Sequence, residues 1–262
     1  MAGGTPEFQT LRVEVRDGIG RMTLTRPERL NALSRRALFE LAEAARWFDS
    51  RQEVKVVIVS GEGRAFSAGF DLDDFSTPEP EWDQREGADL GRKMADAVTD
   101  MRPITIAAVQ GHCVGGGLVL AGSCDLRYAA DSAVFSIPEV DLGIPLAWGG
   151  IPRLVREIGP AATKELVITC RRFGPEEAKA LGFLNGIVPL DSLDSHVEEV
   201  ARSVAAKPGY ALRTTKQQVN AVMEEIAGTR RNTSDADALV YATHDEESRR
   251  ASRAYLKSKN KK

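Results

Sequence analysis

The 262-residue sequence predicts an α/β fold. Strand-like and helix-like patterns alternate along most of the chain. The run 54–59 is nearly all apolar and β-branched, as a strand covered on both faces must be. A second apolar run, Ile104–Val109, is followed by Gly115-Gly116-Gly117 and then by Leu118-Val119-Leu120-Ala121, an order that reads as strand, glycines, helix.

Each element has its own signal. Val13-Glu14-Val15 and Met22-Thr23-Leu24 alternate with period two around the turn pair Asp17-Gly18, which predicts a hairpin ended by Arg26-Pro27. Ser34 caps a helix whose apolar stripe is Leu38, Leu41, Ala42, Ala45 and Phe48. Gly61 and Gly63 break the strand at 54–59. Residues 71–85 are acidic and contain Pro78 and Pro80, which predicts a loop with freedom to move. A helical pattern over 86–101 is stopped by Arg102-Pro103. Short strands are expected at 126–130, 134–137 and 184–188, helices at 150–158, 161–169 and 175–181, and a loop at 143–150. Everything from Leu193 onward reads as helical, with its clearest break at Lys207-Pro208-Gly209. A core over 1–206 is therefore expected, with a helical region over 207–262 that leaves it.

Composition narrows the function. Charged residues make up 28% and the net charge is −3, which gives no support for nucleic-acid binding. No apolar run approaches the ~20 residues of a membrane span, and the first residues lack the pattern of a secretory signal. A cytoplasmic protein is the simplest expectation. Cys113, Cys124 and Cys170 lack metal-ligand spacing and read as reduced, buried filler. His112, His196 and His244 are scattered, so no metal site is expected.

Three segments can carry chemistry. Arg64-Ala65-Phe66-Ser67-Ala68-Gly69-Phe70-Asp71-Leu72 leaves a strand with small residues that can expose a backbone N–H. The glycine triplet can aim bare N–H groups at an oxygen gaining charge. Glu139, in Ser136-Ile137-Pro138-Glu139-Val140-Asp141-Leu142-Gly143, is a carboxylate that an apolar setting would turn into an acid or base. Alone, each segment also fits a plain turn, tight packing or a surface glutamate.

Together and in this order they resemble the crotonase family of enoyl-CoA hydratases and isomerases. The resemblance also takes in Leu24-Thr25-Arg26-Pro27-Glu28-Arg29-Leu30-Asn31-Ala32-Leu33, Val109-Gln110-Gly111-His112-Cys113-Val114, Cys124-Asp125, Gly174-Pro175-Glu176-Glu177-Ala178 and Lys207-Pro208-Gly209-Tyr210-Ala211-Leu212. It implies a crotonase-type spiral of ββα turns with a helical C-terminal trimerisation region, as a trimer or a dimer of trimers. It implies an acyl-CoA substrate, with CoA as part of the thioester and no separate cofactor. Carried over by position, the Ala68 and Gly116 N–H groups form an oxyanion hole and Glu139 is the catalytic group. Arg29, Leu30, Gly69, Phe70, Asp71, Leu72, Gly115 and Trp148 join them in substrate binding, with Arg29 set to approach the CoA phosphates. The seven cations from Arg249 to Lys262 either reach a neighbour's CoA or form a solvated tail.

The sequence departs from the hydratase pattern at Val119, where those enzymes have a second glutamate. One carboxylate suffices to move a proton from C2 to C4 of a 3-enoyl thioester, so Δ3,Δ2-enoyl-CoA isomerisation is the leading expectation. A weak hydratase, thioester hydrolysis, decarboxylation and a non-catalytic acyl-CoA binder are the alternatives. Asp71 and Asp141 are the other acids nearby, and a structural role is expected for both. Trp148 is bulky where the family often has small residues, so it can shorten or reshape the acyl pocket.

Overall fold

A computed structural model describes residues 4–76, 83–229 and 232–259. The chain opens with the expected hairpin, β1 (Leu11–Arg16) and β2 (Ile19–Leu24), and then α1 (Arg35–Asp49), whose first turn is capped where Ser34 Oγ accepts from Ala37 N–H at 3.2 Å. Three ββα turns follow. The first is β3 (Val56–Gly61), β4 (Ala65–Ser67) and, after the short α2 (Leu72–Ser76), α3 (Gln84–Asp100). The second is β5 (Ile104–Val109), β6 (His112–Val114) and α4 (Gly116–Gly122). The third is β7 (Leu126–Ala130), β8 (Val134–Ser136) and α5 (Gly150–Thr169). α6 (Pro175–Ala180), β9 (Gly186–Val188), α7 (Leu193–Ala205), α8 (Gly209–Ile226), α9 (Asp235–Ala242) and α10 (Glu246–Lys259) complete the chain.

Each turn of the spiral gives its first strand to one sheet and its second to another. The larger sheet runs β1-β2-β3-β5-β7-β9 and the smaller β4-β6-β8. Every pairing is parallel except that of the hairpin. The run at 54–59 is apolar except for Lys55 because β3 is covered twice. Val57 and Val59 enter the main core, and Val56 and Ile58 pack toward Leu193, Val197 and Ala201 of α7.

Two expectations change. The segment 71–85 is not all loop: it holds α2, and α3 begins at Gln84, where Asp83 accepts from Glu86 N–H at 2.8 Å. Pro78 and Pro80 lie outside the described residues. The C-terminal helices do not simply leave the core. α9 lies against α3, tied by Arg85–Asp237 at 2.7 Å and by Gln84 donating to Thr243 at 3.2 Å, while Ser248 of α10 abuts Gly143. The helices expected at 150–158 and 161–169 are both present within α5, divided at Gly159, whose φ of 74° is non-helical, just before Pro160.

Candidate active site

The small sheet explains why three distant motifs meet. β4, β6 and β8 are parallel neighbours, so the segments that follow them emerge at one edge. Ala68-Gly69-Phe70 follows β4, Gly115-Gly116 follows β6, and Glu139 follows β8 after Ile137-Pro138. Glycine is required at two of these positions. Gly69 has φ 87°, and a Cβ there would lie 2.6 Å from the Val114 carbonyl oxygen and 3.4 Å from Gly116 N. Gly115 has φ 49°, and a Cβ there would lie 2.2 Å from Glu139 Oε1, so the bare Cα makes room for the carboxylate.

Two cavities share this edge. The outer one, about 720 Å³, is lined by Arg29, Leu30, Ala68, Gly69, Phe70, Asp71, Leu72, Gly115 and Glu139, among others. The inner one, about 240 Å³ and largely apolar, is lined by Phe70, Gly116, Glu139, the segment 144–148 and Leu239, Val240 and Thr243 of α9. Every residue expected to bind substrate borders one of them, and Phe70 and Glu139 border both.

Glu139 Oε2 is buried with no hydrogen-bond partner among the described residues. That burial pushes its carboxyl up to about 7, against the smaller opposing effect of its own backbone N–H. Asp71 differs. Burial alone would raise it too, but Arg26 at 2.9 Å and Arg29 at 3.3 Å hold it below the usual carboxylate range. Arg29 also pairs with Asp73, so its charge is already matched by two carboxylates at the cavity rim. Asp141 is exposed and borders the outer cavity.

Ala68 does not sit as expected. Its N–H donates to the Leu30 carbonyl oxygen at 2.9 Å, and so is engaged within the fold. The cause lies in Leu30 and Asn31, both in the left-handed region. Asn31 is buried, donates to the Glu62 and Ala65 carbonyl oxygens, and accepts from Ser67 Oγ through its own carbonyl, which pins this loop to β4. Phe70, two residues on, is the member of this segment that shares the inner cavity with Gly116 and Glu139. Gly116 N–H is the first donor of α4 and has no acceptor four residues back in the helix.

Val119 is only 2% exposed and lines neither cavity, with its Cγ2 beside Gly150. No other carboxylate borders the inner cavity among the described residues. Trp148 sits edge-to-face with Phe70 at 5.8 Å between ring centroids.

Sequence reasoning missed the contribution of the C-terminal helices. Leu239, Val240 and Thr243 line the inner cavity, and Tyr255 of α10 borders the outer one. Burial, and then the charge of Glu139, hold the Tyr255 hydroxyl above its ordinary value. No local pattern signalled this: Gly87 and Gly91 of α3 make room for Arg35 and Trp148 rather than for α9. Among the described residues no helix is long and apolar enough to cross a membrane, and no cluster of His, Cys, Asp and Glu can hold a metal ion.

Comparison with known proteins shows the family. The Enoyl-CoA hydratase/isomerase family model matches residues 14–262. A crotonyl-CoA hydratase of Syntrophomonas wolfei is 32% identical over 91% of this chain and 92% of its own. A peroxisomal Delta(3,5)-Delta(2,4)-dienoyl-CoA isomerase of Arabidopsis thaliana is 34% identical over 80% of each chain. The solved enoyl-CoA hydratase of Bacillus anthracis superposes with a TM-score of 0.78 at 28% identity, over 95% of this chain and 97% of that one. A spiral of ββα turns, a carboxylate bordering one cavity with the first residue of a glycine-opened helix, and a family match over nearly the whole chain lead to one conclusion: this protein belongs to the enoyl-CoA hydratase/isomerase family.

Proposed function

We propose that the protein is an acyl-CoA isomerase in which Glu139 is the only acid–base group, moving a proton between C2 and C4 of a 3-enoyl thioester. The observation that carries this reading is the pairing of Glu139, unpartnered at Oε2, with the buried valine at 119. Hydration needs a water activated on one side while a proton is delivered on the other. Valine can do neither. Isomerisation needs only one group that takes a proton and returns it, and a carboxyl poised near 7 suits both halves of that exchange.

The thioester oxygen would lie where Phe70, Gly116 and Glu139 share the inner cavity, receiving the backbone N–H groups of Phe70 and Gly116 as the dienolate forms. Such donors act mainly on the transition state, because the enolate oxygen carries more charge than the ground-state carbonyl. The acyl chain would enter the inner cavity, and the CoA moiety would follow the wider outer one past Arg29. The exposed apolar residues Val219, Val222 and Ile226 of α8 support contact with a neighbouring copy, as the expected trimer requires; mass photometry of the full chain reads that directly.

Hydratase names are common among the relatives, which makes hydration the competing reading. Offering the purified protein a 3-enoyl-CoA and a 2-enoyl-CoA separates the two. A rise in conjugated-thioester absorbance with the first, and no loss with the second, is expected. Rapid loss with the second would overturn the single-base reading.

A further inference from the structure

We infer that Trp148 is the residue that selects the acyl group, admitting slender chains and excluding those with a ring next to the carbonyl, and that Asp235 of α9 is the positioning residue that holds it. The inference rests on the inner cavity being the acyl end of the site.

The indole fills a slot built from two glycines. A Cβ at Gly91 of α3 would lie 2.0 Å from Trp148 Cδ2, and a Cβ at Gly116 would lie 2.2 Å from its Cζ3. The ring thus spans from α3 to the first residue of α4, beside the backbone donor proposed for the thioester oxygen, with Phe70 edge-on at 5.8 Å. Any acyl substituent close to the carbonyl meets this ring. A slender chain can run past it toward Leu239 and Val240.

The wall is fixed from behind. Trp148 and Gly149 are consecutive left-handed residues, at φ 61° and 66°. For tryptophan that conformation is unfavourable and must be imposed by its surroundings. Gly149 N–H donates to Asp235 Oδ2 at 2.8 Å, and buried Arg153 donates to the Trp148 and Gly149 carbonyl oxygens at 3.3 and 3.2 Å. Arg153 is itself held by Asp96 at 3.0 Å. The loop carrying the indole is therefore clamped by a carboxylate from α9 and a guanidinium from α5.

Octanoyl-CoA and benzoyl-CoA, neither of which has an alkene to isomerise or hydrate, test this by calorimetric titration. The wild-type protein should bind octanoyl-CoA at least about tenfold more tightly than benzoyl-CoA, within the range a shaped apolar pocket can discriminate. Trp148→Ala should erase or invert that ratio, and Trp148→Leu, which keeps apolar bulk in the slot, should move it the same way by less. Asp235→Ala should shift the ratio part of the way, while Asp235→Asn, which retains an acceptor for Gly149 N–H, should stay near wild type. A ratio unchanged within about twofold in both Trp148 variants would overturn the selector role, as would a wild-type preference for benzoyl-CoA. An Asp235→Ala ratio equal to wild type would overturn the positioning role. If neither thioester binds the wild-type protein, the acyl-CoA reading falls and this inference with it.

Discussion

Glu139 and Asp71 border the same outer cavity, yet their surroundings give one carboxylate the opposite character to the other. Asp71 meets two guanidinium groups and is held ionised. Glu139 has an oxygen with no partner among the described residues, and burial favours its proton. Both lie immediately past strands of the small sheet, so strand position alone does not separate them. The difference is in what the neighbouring loops bring. The loop at 26–31 delivers arginines to Asp71, whereas Gly115 brings only bare backbone to Glu139. A carboxylate locked into ion pairs serves structure, and one left without a counter-charge can exchange a proton.

The sharpest way to break this contrast is Glu139→Gln. It should lower isomerisation by about 10²–10⁴-fold, the usual range for a general acid–base group, with acyl-CoA affinity kept within a few-fold. Unchanged turnover would move the base elsewhere. Next in size is Phe70→Pro, which removes the proposed backbone donor and should lower turnover by about 100- to 1,000-fold, with Phe70→Leu as the control that keeps the N–H. Equal rates in the two variants would remove Phe70 from the oxyanion hole.

Asp71→Asn probes the other carboxylate. It leaves Arg26, whose side chain is 22% exposed, without its ionic partner, and should destabilise the fold by about 1–3 kcal/mol in denaturant unfolding. Turnover per folded molecule should change little. A large loss of turnover with full stability would give Asp71 a role in the chemistry.

The smallest effect is on pH dependence, where the two carboxylates should pull in opposite directions. Glu139 rises from 4.5 to about 7 on folding, so the folded chain holds a proton that the unfolded chain has released. Its contribution to stability is present below about 4.5 and is lost as pH rises through 7, at no more than about 1.4 kcal/mol per pH unit. Asp71, lowered from 3.8, contributes above that value and loses its contribution as pH falls through its folded pKa. Thermal unfolding from pH 5 to 8 should show a decline in the wild-type protein that Glu139→Gln lacks. Turnover should rise over the same interval, because the base acts when deprotonated. Parallel stability profiles would mean that Glu139 has an ordinary pKa.

Much of this was legible in the chain. Period-two alternation marked the hairpin, Ser34 marked the start of α1, and the apolar run at 54–59 marked a strand buried on both faces, because these are local patterns with local causes. The three motifs, and the valine where a second glutamate would stand, were equally visible. Harder to read was α2 at 72–76, where acidic residues beside prolines suggested loop, yet Asp74 Oδ2 accepts from Arg35 N–H at 2.7 Å and ties the segment to the start of α1.

The residue pattern alone pointed to α/β alternation, to Glu139 as a candidate acid–base group and to the glycines near it, while the spiral followed from the family resemblance. The long-range packing shows that the Ala68 N–H is taken up within the fold and that α9 lines the inner cavity. Ala68 and Phe70 stand two residues apart in an extended-looking segment, and nothing local tells their N–H groups apart. Leu30, some forty residues upstream, takes up the Ala68 N–H through its carbonyl, while Gly69 turns the chain at φ 87°. Likewise α9, which reads from sequence as part of a departing tail, covers the inner cavity and holds the Trp148 loop through Asp235. A backbone group's partner and a pocket's wall both come from segments distant in sequence, so local pattern cannot assign them.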